Sequence, residues 1–187
     1  INMKGVLLIN LGSPDTTETK DVKRYLGEFL MDERVIDIAY WKRFLLIKGI
    51  ILQVRPKKSG TAYKKIWWDE GSPLVVISER FSKKVTDKVE VPVTLAMRYG
   101  SMSMEKGFKE LTDQGVDEIL LVPLYPHYAM SSYETVTVKA EQIVAEHYPK
   151  VTMDILPTFY DKPEYIKAMS DNIKNHLDGF DYDHVLF

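Results

Sequence analysis

Four short segments carry the side chains that could do chemistry. They are Asn10-Leu11-Gly12-Ser13-Pro14, Arg98-Tyr99-Gly100, Leu124-Tyr125-Pro126-His127 and Pro157-Thr158-Phe159-Tyr160. Polar-tipped rings, a guanidinium and small hydroxyl residues are the groups of a ligand-binding rim. Other chemistries lack their parts. His127, His147, His176 and His184 are scattered, with none at helical ligand spacing from another, and cysteine is absent, so no metal site is expected. No Ser-His-Asp arrangement can be inferred. The adjacent Asp69 and Glu70 read as a solvated loop rather than an acid–base pair. Gly12-Ser13-Pro14-Asp15-Thr16 is a poor phosphate cradle, with too few glycines and no Lys-Ser/Thr pair. It reads as a tight turn in which Ser13, Asp15 or Thr16 caps the next helix. His147 and His176 read as solvent-facing helix residues, and His127 as a rim residue.

The elements that must position the rim follow from hydrophobic periodicity. Gly5–Leu11, Val91–Arg98, Glu118–Leu124, Thr152–Pro157 and His184–Phe187 are nearly continuous apolar runs, the pattern of strands covered on both faces. Helical patterns run over Asp21–Met31, Pro73–Val89, Met104–Gln114, Tyr133–His147 and Pro163–Leu177. In the first, Val22, Tyr25, Leu26, Phe29 and Leu30 share one stripe. The alternation predicts an α/β fold: a doubly wound, parallel, four-stranded sheet flanked by helices, of flavodoxin-like topology, with His184–Phe187 outside it. All four chemical segments then fall at strand carboxyl ends, where such folds keep ligands.

A chain of 187 residues with 45% hydrophobic content can bury a sizeable core in one domain or one and a half. A formal charge of −2 does not point to nucleic acid. Lack of cysteine fits a reducing cytosol. No signal peptide is visible and no apolar run is long enough to span a membrane. Met3 reads as the natural start. The last strand stops without a helix or a cap, so the chain reads as a fragment: residues 3–182 as one domain and 183–187 as the first strand of a second.

Two segments remain ambiguous. Trp41–Lys58 is apolar with Trp, Lys and Arg flanks, which suits either an interfacial helix or a core helix with snorkelling ends. Trp67-Trp68 could close a cleft or form a satellite core.

Taken together and in order, "KGVLLINLGSPDT", "FLMDERVID", "YKKIWWDEGSPL", "AMRYGSMSMEKGFKEL" and "VPLYPHYAMSSYETV" resemble the motifs of ferrochelatase, over essentially the whole chain. That family inserts Fe²⁺ into a porphyrin late in haem synthesis, in a cleft between two similar chelatase-like domains. The resemblance implies an N-terminal domain plus the first strand of the second. The expected catalytic His and acidic residue would lie beyond Phe187, leaving this fragment inactive and without catalytic residues of its own.

The resemblance also implies roles. Leu11 would line the porphyrin face. Arg55, Tyr63 and Ser72 would hold or flank the propionates. Arg98 and Tyr99 would stand at the inner end of the cleft, and Tyr125 and Ser131 on the rim after the third strand. For Arg98 two readings stand: an ion pair with a neighbouring acid, or a guanidinium projecting into the cleft beside Tyr99 and Leu11. Arg98, Tyr99, Leu11 and Tyr125 are expected on one concave surface, with Ser72 and Tyr63 at its rim. Leu11, where coproporphyrin users often carry Tyr, favours protoporphyrin IX. Fe²⁺ and porphyrin are substrates, no cofactor is expected in this chain, and without cysteine this segment would supply no ligand to the iron–sulfur cluster some members carry. Trp41–Lys58 then reads as a membrane-facing lip, placing the protein in the cytoplasm with peripheral contact on the inner membrane face. The alternatives are a cobalt or nickel tetrapyrrole chelatase and a non-catalytic flavodoxin-like binding module.

Overall fold

The structure, a computed structural model, describes residues 2–177 together with Gly179, Asp183 and His184. Its sheet has four parallel strands, β1 (Lys4–Gly12), β2 (Val93–Tyr99), β3 (Glu118–Pro123) and β4 (Thr152–Ile155), in the order β2-β1-β3-β4. The expected α/β class, strand direction and strand number hold. Two boundaries move because proline has no N–H to give to a ladder. β2 begins after Pro92, whose carbonyl still accepts from the Val6 N–H, and β4 closes with the Leu156 N–H bonded to Leu121, just before Pro157. The strand expected over His184–Phe187, and with it the domain division at 182/183, lies outside the described residues apart from Asp183 and His184.

Helices cover both faces. The helices are α1 (Thr19–Met31), α2 (Tyr40–Phe44), α3 (Leu52–Lys64), α4 (Pro73–Thr86), α5 (Met104–Asp113), α6 (Thr135–His147) and α7 (Pro163–Leu177), and a π-helical stretch, Leu45–Ile51, joins α2 to α3. Leu7 and Asn10 project to opposite sides of β1. Asn10 donates to Ser78 of α4, while Leu7 meets α5, where a Cβ on Gly107 would come within 2.8 Å of it. The main core lies under α5 and α6: Leu7, Ile9, Ala96, Phe108, Leu111, Ile119, Leu121, Val136, Ala140 and Ile143 are all buried. Burying each large side chain there contributes roughly 1.5–3 kcal/mol. A second cluster, Leu30, Ile47 and Leu52, seats the 40–64 helical run against α1. Arg43 anchors its start, with Nη1 donating to the carbonyls of Ile36 and Ile38.

β1 ends at a point of close approach. Gly12 has φ +105°, and a Cβ there would lie 2.0 Å from the Tyr99 carbonyl oxygen. Only glycine lets the first strand turn away while β2 stays beside it. Gly12→Ala is expected to destabilise the protein by more than about 2 kcal/mol, read as a lowered urea midpoint with an unchanged slope.

Candidate functional site

The strand order reverses direction between β1 and β3, and their carboxyl ends, Gly12-Ser13 and Leu124-Tyr125, flank the crevice that such a reversal leaves. α1 lies beside it. The Tyr25 hydroxyl donates to the Gly12 carbonyl at 3.2 Å, and Phe29 packs edge-on against Tyr99 with ring centres 5.3 Å apart. α3 closes on the same loop: at Gly60 a Cβ would lie 2.6 Å from the Thr17 carbonyl, so the two backbones nearly touch.

This packing gathers phenols. Burial first, then neighbouring Tyr63, Tyr99 and Glu28, pushes the Tyr25 hydroxyl far above its ordinary value. Burial, then Tyr99 and Tyr25, does the same at Tyr125. Burial raises Tyr63, and Tyr99 is pushed up to about 12, chiefly by burial. Tyr25 thus feels Tyr63 and Tyr99, and Tyr125 feels Tyr99 and Tyr25, while all four stay un-ionised at neutral pH. Three of them were expected at the site. Tyr25 was read only as part of a helix stripe; a tyrosine among its apolar members was the available signal. The Tyr125 hydroxyl is buried and meets no acceptor among the described residues, and the same holds for Ser13 Oγ. Groups left so are costly in a finished core.

Arg98 lies next to Leu11 on the neighbouring strand, as the register pairs Asn10 with Met97 and Gly12 with Tyr99. Its guanidinium does not project freely: the ion-pair reading is the one observed. Nη2 donates to Asp32 at 2.6 Å, and Nε donates to both the carbonyl and Oγ1 of Thr135. Asp32 Oδ2 also accepts from the Tyr99 hydroxyl at 2.9 Å and from Thr135 at 2.5 Å, while Oδ1 takes the Arg34 N–H. The side chains of Arg98 and Asp32 are 17% and 7% exposed. Burial alone would raise the Asp32 carboxyl; the donors from Thr135, Arg34 and Tyr99 and the charge of Arg98 outweigh it and hold it below the ordinary carboxylate value. Sequence reading missed Asp32, because its partners are remote in the chain.

The expected single concave surface is divided. Arg98, Tyr99 and Asp32 line a cavity of about 470 Å³, and Tyr99, Ser72 and Ser13 line another of about 260 Å³. Tyr99 is the wall between them, and Leu11 and Tyr125 line neither. Ser72 is buried at the start of α4, ahead of Pro73 at the first helical position, and makes no side-chain cap. Arg55 is exposed on α3, and Ser131 is partly buried in the π-helical turn Met130–Glu134 that leads into α6. The expected cap by Ser13, Asp15 or Thr16 does not form. Glu18 stands at the N-cap of α1, Asp15 is instead taken by Arg24 and Ser101, and Thr16 Oγ1 bonds Asp21 and the Glu18 N–H. His127 stacks on Tyr160, and His147 and His176 are exposed as expected. Asp69 and Glu70 are exposed in a tight turn closed by Trp68 and Gly71, where Arg80 pairs with Glu70 and lies over the Trp68 ring. Among the described residues no group of three His, Cys, Asp or Glu side chains is placed to hold a metal.

Because the folded carboxyl of Asp32 titrates below its unfolded value, its contribution is present above about pH 4 and is lost on acidification. Asp32→Asn should lower stability near neutral pH by on the order of 3 kcal/mol. The gap to the wild type should narrow as the pH falls below 4, followed by urea unfolding at a series of pH values.

The comparisons with known proteins agree along the whole chain. The ferrochelatase family profile matches residues 3–187. The ferrochelatase of Pseudomonas fluorescens biotype C is 45% identical over 183 residues, covering 97% of this chain and 53% of that protein. That of Stutzerimonas stutzeri is 45% identical over 181 residues, with 96% and 53% covered, and that of Ectopseudomonas mendocina 47% identical over 179, with 95% and 52% covered. The chain therefore spans about half the length of the curated relatives it matches. Matched from end to end in this way, the chain belongs to the ferrochelatase family.

Proposed function

We propose that this chain forms one wall of a porphyrin cleft in a protein that inserts Fe²⁺ into protoporphyrin IX. Family membership supports the reading, and one observation supports it in the structure: Tyr99 and Tyr125 stand at the ends of β2 and β3 with Tyr25 of α1 beside them, all un-ionised, and the buried Tyr125 hydroxyl has no acceptor among the described residues. A flat aromatic disc suits a ring-lined wall. Its propionates suit exposed Arg55, with Tyr63 and Ser72 as uncharged donors farther along the rim. Leu11 would lie against the disc face, and Ser131 on the rim after β3.

The reaction replaces two pyrrole N–H bonds by iron–nitrogen bonds and releases two protons. It therefore needs a base, a bent macrocycle and loss of water from the ion. Contacts along the rim can offset the bending. The wall described here binds and orients; we place the proton acceptors, a His and an acidic residue, on the part of the protein beyond Phe187. The full-length protein should convert protoporphyrin IX and Fe²⁺ to haem, followed by the Soret band. The 187-residue chain alone should give no turnover. A full-length protein that binds protoporphyrin but inserts no iron would overturn the reading.

The lip belongs to the same proposal. Tyr40, Trp41, Phe44, Leu45, Ile50 and Val54 are 44–71% exposed along one helical run, although Ile47 is fully buried. Lys42 lies over the Trp41 ring, and Arg55, Lys57 and Lys58 follow. No helix is long and apolar enough to cross a membrane among the described residues. Apolar side chains flanked by cations suit peripheral contact with an anionic bilayer, on the cytoplasmic side of the inner membrane. The protein should co-float with vesicles containing an acidic phospholipid, and Trp41→Ser with Ile50→Ser should weaken that binding severalfold; unchanged flotation would remove the lip from the account.

A further inference from the structure

We propose that Asp32 is a positioning residue for Arg98, holding its guanidinium in one orientation for the iron-insertion reaction proposed above, on which the catalytic half of this inference rests. Asp32 follows the last residue of α1, where a carboxylate opposes the helix dipole and gains nothing for the helix itself. It is nevertheless nearly enclosed, which is costly for a lone charge. What it does gain is a set of donors from elsewhere: Arg98 and Tyr99 at the end of β2, and Thr135 at the start of α6.

The arginine side of the contact is equally constrained. Nε is shared between the carbonyl and hydroxyl of Thr135, one edge is taken by Asp32, and the guanidinium lies 4.5 Å from the centre of the Tyr99 ring. Two polar edges and one face fix its plane. Among the described residues no acceptor takes its remaining N–H groups, and Arg98 lines the cavity of about 470 Å³. The cavity's other charged groups are Glu28, which accepts from the Gly100 N–H, and the Glu105–Lys139 pair. A fork clamped on two sides and open on the third is a preorganised donor. Without Asp32 one edge of the guanidinium loses its partner and its plane is no longer fixed.

Two measurements test the proposal in the full-length protein. The first needs no activity: the ¹⁵N-edited signal of the Arg98 Nε–H, identified by its loss in Arg98→Leu. It should be sharp and slow to exchange with solvent in the wild type, and fast to exchange in Asp32→Asn. The second is a double-mutant cycle on iron insertion. Asp32→Asn should lower turnover by roughly tenfold to a hundredfold, with little change in porphyrin KM. Added to Arg98→Leu it should lower turnover no further, because a residue acting through Arg98 has nothing left to act on. Should Asp32→Asn fold poorly, the double variant, which removes both buried charges, is compared with Arg98→Leu alone: equal turnover supports the proposal and a further loss overturns its catalytic half.

An unaltered Nε–H signal in Asp32→Asn overturns the positioning claim. Losses that add, or normal turnover in Arg98→Leu, overturn its catalytic half. If the wild type binds porphyrin but inserts no iron, the functional reading fails separately, and the Nε–H signal still decides whether Asp32 holds Arg98.

Discussion

One carboxylate ties together three elements that the chain delivers separately. Asp32 closes α1, Arg98 and Tyr99 close β2, and Thr135 opens α6; all meet at Asp32 Oδ2. Burying an ion pair repays its desolvation only where the remaining donors and acceptors are also used. Here most of them are. The arrangement is conditional as well as strong: removing the acid would strand a buried cation, and removing the arginine would strand a buried anion. The ends of β2, α1 and α6 are therefore fixed relative to one another more tightly than apolar packing alone would fix them, because hydrogen bonds have direction and packing does not.

Fixing those ends fixes the phenol wall. Tyr99 contributes its hydroxyl to the Asp32 cluster and its ring to Phe29 and Arg98. Tyr25 is carried on α1, and Tyr125 follows β3, next to β1 in the sheet. The close approach at Gly12 brings β1 and β2 together, and that at Gly60 brings α3 onto the loop after β1, without intervening side chains. The result is a packed cluster of aromatic rings with un-ionised hydroxyls: Tyr25 and Tyr99 are almost wholly buried, and Tyr125 is half-buried. In the proposed cleft it would back the ligand without the repulsion that ionised phenolates would bring to carboxylates. The same α3 that carries Tyr63 to this wall is the continuation of the run whose apolar side chains are exposed. If the proposed lip meets a surface, α3 links that contact to the proposed ligand wall.

Much of this architecture was legible in the sequence because it depends on local pattern. Near-continuous apolar runs separated by amphipathic stretches specify buried parallel strands and covering helices, and the rim residues fall at strand ends for that reason alone. The family resemblance supplied the positions of Tyr63, Tyr99 and Tyr125. What stayed hidden depends on distance in the chain. Nothing in the spacing of Asp32, Arg98 and Thr135 announces that they meet. Sequence therefore leaves Arg98 two fates, and the paired one is observed. Tyr25 was concealed by its own regularity, since a tyrosine in a helix stripe resembles any other core ring. The expected cap by Ser13, Asp15 or Thr16 failed for a related reason: Asp15 finds Arg24 and Ser101, and Ser101 is far along the chain.

The central claim is that the strand ends backed by these phenols form the face against which porphyrin lies. A crystal structure of the full-length protein with protoporphyrin IX bound tests it directly. The account predicts the macrocycle within van der Waals contact of the strand ends that Tyr25 and Tyr99 support from beneath, with the Tyr125 hydroxyl bonded to ligand, water or the facing half of the protein, and Arg98 still clasped by Asp32. A macrocycle bound away from this wall, with Tyr125 still unpartnered and the strand ends open to solvent, would contradict it.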